Sequence, residues 1–134
     1  MMRAAFAGIA GVIAGIVIVF GAEAVGHMIF PPPEGVDLSD PEQLAAIMDQ
    51  IPLGAKIAGL VAWGLGTFGG GVVGVALSGR KAWPAAVVAI VMLAMAGLTL
   101  YAIPHPLWMN GATVVITGFS WLLATRFAKS EDGI

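Results

Sequence analysis

The chain has 134 residues, of which 59% are hydrophobic and 10% are charged. Soluble domains usually carry about 25% charged residues, so this composition is typical of a membrane protein, and the lipid bilayer is its predicted partner. The absence of cysteine excludes disulfides, thiolate metal sites and a cysteine nucleophile. The net charge is −2 and the six basic residues form no patch, so nucleic acid is not a predicted partner.

Four long apolar runs cover residues 4–30, 53–78, 82–103 and 107–127. Each is near or above the ~20 residues that a membrane helix needs, and a spanning segment of this length must satisfy its backbone hydrogen bonds internally. The predicted fold class is therefore all-α, a polytopic protein with four transmembrane helices in a single transmembrane domain over residues 1–134. The first run also resembles a secretory signal, but its continuation to Phe30 favours an uncleaved span.

The basic residues predict the orientation of these spans. Five of the six lie at the same ends of the four runs, namely Arg3, Arg80, Lys81, Arg126 and Lys129. That side should be cytoplasmic, which places both termini in the cytoplasm. Segment 31–52 has five acidic and no basic residues and should lie outside; within it, Asp40 and Pro41 read as the start of a short outer-side helix that ends near Gln50. Trp63 departs from the boundary pattern of the aromatic residues because it lies inside the second span.

Small residues recur at every fourth position of the second span. Gly66, Gly70 and Gly74 make two overlapping GxxxG motifs, which allow two helix backbones to approach closely. The first span has another small face that includes Gly11 and Gly15. These faces either pack helices within one chain or join copies in a homo-oligomer, and the second span is the candidate for self-association.

Four polar residues are candidates for binding a substrate or ion: Glu23, His27, Lys56 and His105. Counted along the helices from the basic residues, Glu23, Lys56 and His105 lie about 30–36 Å away, near one level. Three interpretations stay open. Glu23, His27 and His105 could ligate a metal; the Glu and His groups could handle a proton or ion; or Glu23 and Lys56 could form a structural ion pair.

No catalytic motif or nucleotide-binding fingerprint is present, so no catalytic residue and no cofactor are predicted. The leading functional hypothesis is an oligomeric transporter or channel subunit for an ion or small solute. The alternative is a structural or accessory membrane protein without transport or catalysis, and a membrane-embedded metal enzyme is the third hypothesis.

Several motifs together resemble those of a family of small, uncharacterised bacterial inner-membrane proteins with four helices. They are the stretch from Glu23 to Pro33, Asp40-Pro41, Pro52-Leu53-Gly54, Ala62-Trp63-Gly64, Phe68-Gly69-Gly70 and His105-Pro106-Leu107-Trp108. The resemblance covers most of the chain. It implies a location in the bacterial inner membrane but brings no activity, because the family has no assigned function.

Overall fold

The computed structural model describes residues 1–130, and all regular structure within them is helical. The helices are α1 (Met2–Ile29), α2 (Pro41–Ile47) with a 3-10 turn (Met48–Gln50), α3 (Leu53–Leu77), α4 (Trp83–Ala102) and α5 (Leu107–Ser130). Four of them, α1, α3, α4 and α5, are long and apolar enough to cross a membrane. The predicted all-α fold with four candidate spans is therefore confirmed, and it indicates a multi-pass membrane protein.

The predicted span boundaries agree with the observed ones to within three residues. α1 ends before the Pro31–Pro33 run, because proline has no N–H to continue the helical hydrogen bonds. Pro84 lies in the first turn of α4, where a missing N–H costs nothing. α5 continues to Ser130, one turn beyond the predicted end at Phe127.

Two helices, α3 and α4, hold the bundle together. α3 packs against α1, α4 and α5, and α4 also contacts both α1 and α5. α1 and α5 share no substantial interface, so they lie on opposite sides of the α3–α4 pair. α3 runs antiparallel to α1 and α4 and parallel to α5, as its successive contacts along each neighbour show.

The outer surface of the bundle is apolar. In each long helix less than half of the most apolar window is buried. Large hydrophobic side chains point away from the other helices, including Phe6, Leu98 and Val115, which are 69%, 69% and 70% exposed. A surface of this kind is stable in lipid and would aggregate in water.

Glycines bring α1 and α3 into backbone contact. A Cβ atom added to Gly11 would lie 2.6 Å from the carbonyl oxygen of Gly70, and one added to Gly15 would lie 2.9 Å from that of Gly66. Gly74 faces Pro84 of α4. The structure thus places the whole Gly66, Gly70 and Gly74 stripe inside one chain, so this face is not available for the self-association suggested from the sequence.

A second glycine face on α3, spaced by seven residues, packs against α5. Gly64 faces Ile116 and Ser120, and Gly71 faces Ala124 of α5. Two small-residue faces on one helix explain how α3 contacts three neighbours at close range. The sequence analysis identified only the stripe with four-residue spacing and missed the face of Gly64 and Gly71.

The turn between α3 and α4 and the beginning of α1 form the basic end of the bundle. Arg3 Nε donates to the carbonyl oxygen of Leu77 at 2.8 Å, at the C-terminus of α3. The Arg80 guanidinium donates to the carbonyl oxygen of Ala128 near the C-terminus of α5. Both arginines therefore satisfy carbonyl groups left unpaired at helix ends, and their charges oppose the negative ends of the helix dipoles.

The opposite, acidic end carries the segment between α1 and α3. As predicted, Asp40 caps α2, accepting a hydrogen bond from the Glu42 N–H at 3.0 Å, and Pro41 is the first helical residue. Hydrogen bonds from the Ser39 hydroxyl and backbone N–H lower the pKa of the Asp37 carboxyl. α2 has no substantial interface with the four long helices.

Replacement of Gly70 tests the backbone contact. In Gly70→Leu the new side chain would overlap the carbonyl oxygen of Gly11, and backbone atoms cannot move aside as a flexible side chain can. We expect the free energy of unfolding in detergent to fall by about 1–3 kcal/mol or more. Gly59→Leu, on the same helix with no atom within 4 Å of its added Cβ, is the control and should unfold like the wild type. Equal stability of the two variants would contradict the packing described.

Candidate functional site

Glu23 of α1 lies in a cleft between three helices. The cleft has a volume of about 50 Å³, and its other lining residues are Ile16, Val19, Phe20, Trp63, Met92 and Met95. The carboxylate interacts with the Trp63 side chain, whose only polar group is the indole N–H, a donor. Trp63 is thus the polar partner that lines the otherwise apolar cleft with Glu23, and a space of this size can hold water.

The directions of the two helices explain why Glu23 meets Trp63. Glu23 is six residues from the end of α1, and Trp63 is ten residues from the start of α3, so their Cα atoms lie about 9 Å and 15 Å from the acidic end. Helical side chains lean toward the N-terminus of their own helix. Because α1 and α3 are antiparallel, Glu23 leans toward the basic end and Trp63 toward the acidic end, and the two side chains meet between these levels.

The ion pair between Glu23 and Lys56 that the sequence suggested is absent from residues 1–130. Lys56 is not among the groups that act on Glu23, and it has no ion pair with any described residue. The path from Arg80 back to Lys56 is four residues longer than that from Arg3 to Glu23, about 6 Å along the helix axis. The two side chains also lean toward opposite ends of the bundle, so the single level inferred by counting was wrong for this pair.

Lys56 lies instead beside the last turn of α1. Its neighbours Gly54 and Ala58 face Phe30 and Gly26, respectively. The side chain is half-exposed, which allows the ammonium group to reach the acidic end of the bundle.

The two histidines do not form a metal site with Glu23. His27 lies one turn from Glu23 and interacts with its charge, but its side chain is exposed. His105 lies in the link between α4 and α5, and its Nδ1 donates to the carbonyl oxygen of Ile103 at 2.6 Å. Within residues 1–130 no group of three or more His, Asp or Glu side chains is placed to hold a metal ion. The structure therefore brings Glu23 and His27 together and leaves Lys56 and His105 outside the site.

Sequence reasoning missed Trp63, Met92 and Met95 as site residues. The available signal was the position of Trp63, the aromatic residue that departs from the boundary pattern by lying inside its span. The methionines gave no signal, because an apolar residue inside an apolar helix is the default.

Comparison with known proteins gives no match to a family model, a curated protein or a solved structure. The resemblance to small bacterial inner-membrane proteins therefore remains an expectation, and functional inference depends on the geometry of the cleft.

Double-mutant cycles distinguish the observed partner of Glu23 from the expected one. The cycle of Glu23→Gln with Trp63→Phe should give a coupling energy on the order of 1 kcal/mol, because each change removes one side of the interaction between the carboxylate and the indole. The cycle of Glu23→Gln with Lys56→Gln should give a coupling near zero. Both coupling energies are measured from unfolding in mixed micelles. A larger coupling of Glu23 to Lys56 than to Trp63 would support the ion pair instead.

Proposed function

We propose that this protein is a small multi-pass protein of the bacterial inner membrane that binds a proton or small cation at Glu23, as a subunit of an oligomeric transporter or channel. The observation that carries the proposal is the environment of Glu23. Its carboxylate lies among apolar side chains, beside the Trp63 indole and one turn from His27, and no lysine or arginine pairs with it within residues 1–130.

The depth of the cleft supports a functional role for this carboxylate. Trp63 and Met92 both lie close to the midpoints of helices at least 20 residues long. The Glu23 Cα lies about 9 Å from the acidic end and its side chain leans inward, so in an inserted bundle the carboxylate lies within the apolar part of the helices, where an ionisable group is costly. If the structure required only a hydrogen-bond acceptor here, a neutral amide would serve at a lower desolvation cost than a carboxylate. A site that takes up a cation requires the negative charge.

The closed interior of the chain supports an oligomer rather than a single-chain pore. From Glu23 toward the basic end, the core contains Val19, Val88 and Met92 and the glycine contacts between α1 and α3. The cleft is also lined by Phe20, which is 66% exposed, so it opens at the bundle surface. A second copy over this opening would turn the cleft into an enclosed path between subunits.

The same close packing favours one alternative, a structural or accessory membrane protein. Backbone contacts at the glycines leave no space between α1 and α3 at these positions. In that case Glu23 serves only to join α1 to α3 through Trp63.

Flux through reconstituted vesicles separates the two functions. Proteoliposomes with an imposed potassium gradient should show faster internal pH or cation changes than protein-free vesicles, and Glu23→Gln should lower the rate to background. Glu34→Gln removes the same charge from an exposed position in the segment between α1 and α3 and is the matched control. Wild-type rates equal to those of empty vesicles, for protons and for monovalent cations, would favour the accessory role.

The proposed topology has both termini in the cytoplasm and the acidic end outside, on the basis of the five basic residues at one end. The absence of native cysteine makes this testable by single substitutions. In intact spheroplasts a membrane-impermeant maleimide should label Glu34→Cys, whereas Ser130→Cys should react only after lysis. Labelling of Ser130→Cys in intact spheroplasts would invert the topology.

A further inference from the structure

The Glu23 cleft offers few oxygen atoms to a cation. Among the described residues that line it, the Glu23 carboxylate is the only side-chain group that carries oxygen. The backbone carbonyl groups at these positions accept the hydrogen bonds of their own helices. Mg²⁺ and Ca²⁺ require about six or more oxygen ligands, and K⁺ requires a shell of carbonyl groups in place of its water. This lining therefore does not suit a dehydrated inorganic cation.

Aromatic and sulfur-containing side chains line the cleft together with the carboxylate. On α1, Phe20 lies three residues before Glu23, so the two side chains are neighbours on one helix face. Met92 and Met95 are three residues apart on α4, and Trp63 belongs to α3. Aromatic rings attract organic cations, and the flexible, polarizable thioether of methionine adapts to different apolar groups. The cleft thus combines one negative charge with side chains that favour an organic cation.

The size and position of the cleft limit the shape of such a cation. Its volume of about 50 Å³ is a third of the ~150 Å³ cavity that holds the six carbon atoms of benzene. That space suits an ammonium group with its first carbon atom and is too small for a quaternary ammonium group. Phe20 is 66% exposed and Met95 is half-buried, so the cleft opens on the apolar surface of the bundle. The rest of the ligand would therefore extend into lipid.

We propose that the cation bound at Glu23 is the protonated head of a lipophilic primary amine. The ammonium group donates hydrogen bonds to the Glu23 carboxylate beside Trp63, and the alkyl chain passes Phe20 toward the acyl chains of the bilayer. A primary amine carries this charge at neutral pH, as the lysine side chain does with its pKa of about 10.4. The inference rests on the proposed cation site at Glu23 and names the chemical class of its ligand.

The fluorescence of Trp63 tests the ligand class without a transport assay. The other three tryptophans are exposed and are replaced together, by Trp83→Phe, Trp108→Phe and Trp121→Phe. In a neutral detergent, n-butylammonium should change the Trp63 emission saturably, whereas 1-butanol and K⁺ should not. Glu23→Gln in this background should weaken binding at least about tenfold, the effect of losing a hydrogen bond between charged groups. Glu34→Gln removes the same charge from an exposed position and should leave binding unchanged.

Two results would overturn the inference. One is a response to 1-butanol or K⁺ as strong as that to n-butylammonium. The other is a response that Glu23→Gln leaves intact, which would assign it to partition into the micelle. The flux measurement tests the proposed function separately. Flux that depends on Glu23 without n-butylammonium binding would refute the amine alone, whereas n-butylammonium binding without flux would support the amine site and refute transport.

A change in the size of the cleft tests the position of the ammonium group in a chain that keeps all its tryptophans. In isothermal titration calorimetry, wild-type protein should bind n-butylammonium more tightly than tetramethylammonium. Met95→Ala enlarges the cleft and should raise the affinity for tetramethylammonium severalfold. Met28→Ala, which removes an exposed methionine of α1 outside the cleft, is the control and should not. Equal affinities of the wild type for the two cations, or no gain in Met95→Ala, would contradict an ammonium group held inside the cleft.

Discussion

Direct contact between the backbones of α1 and α3 is the constraint on which the other features depend. In a bilayer, lipid tails solvate apolar side chains as well as a neighbouring helix does, so helix association requires close packing that lipid cannot match. The glycines at 11, 15, 66 and 70 provide it by removing the side chains between the two helices. Their carbonyl groups lie so close to the opposing glycines that the register of the pair is fixed, and α4 packs over the junction through Val88 and Met92.

The register places Glu23 against α3 and creates the candidate site. With α1 and α3 in this alignment, the carboxylate of Glu23 meets the indole of Trp63, while Lys56 lies nearer to the acidic end. The methionines of α4 complete the cleft and leave it open at the surface. An acidic side chain is consequently held by two helices whose backbones are in direct contact.

The two ends of the bundle use charge differently. At the basic end, Arg3 and Arg80 do more than bias the topology, because each also satisfies carbonyl groups at the C-terminus of a helix. α1 and α4 begin at the same end, and neither has a side-chain cap. At the acidic end, the Asp40 carboxylate caps the short helix α2, and α2 has no substantial interface with the four long helices.

The sequence by itself determined the helices, because run length, proline positions and the Asp40 cap are local properties of the chain. It also identified Glu23 as an unusual charge and glycine as the packing residue. Only the tertiary structure decided which faces meet. Counting residues gives the position of a Cα atom along the helix axis, but it gives neither the direction of the side chain nor the helix that the side chain faces. For this reason it paired Glu23 with Lys56 instead of Trp63. For the same reason the sequence did not determine which helix packs on the stripe of Gly66, Gly70 and Gly74. A face of small residues is equally suited to a helix of its own chain or of another copy.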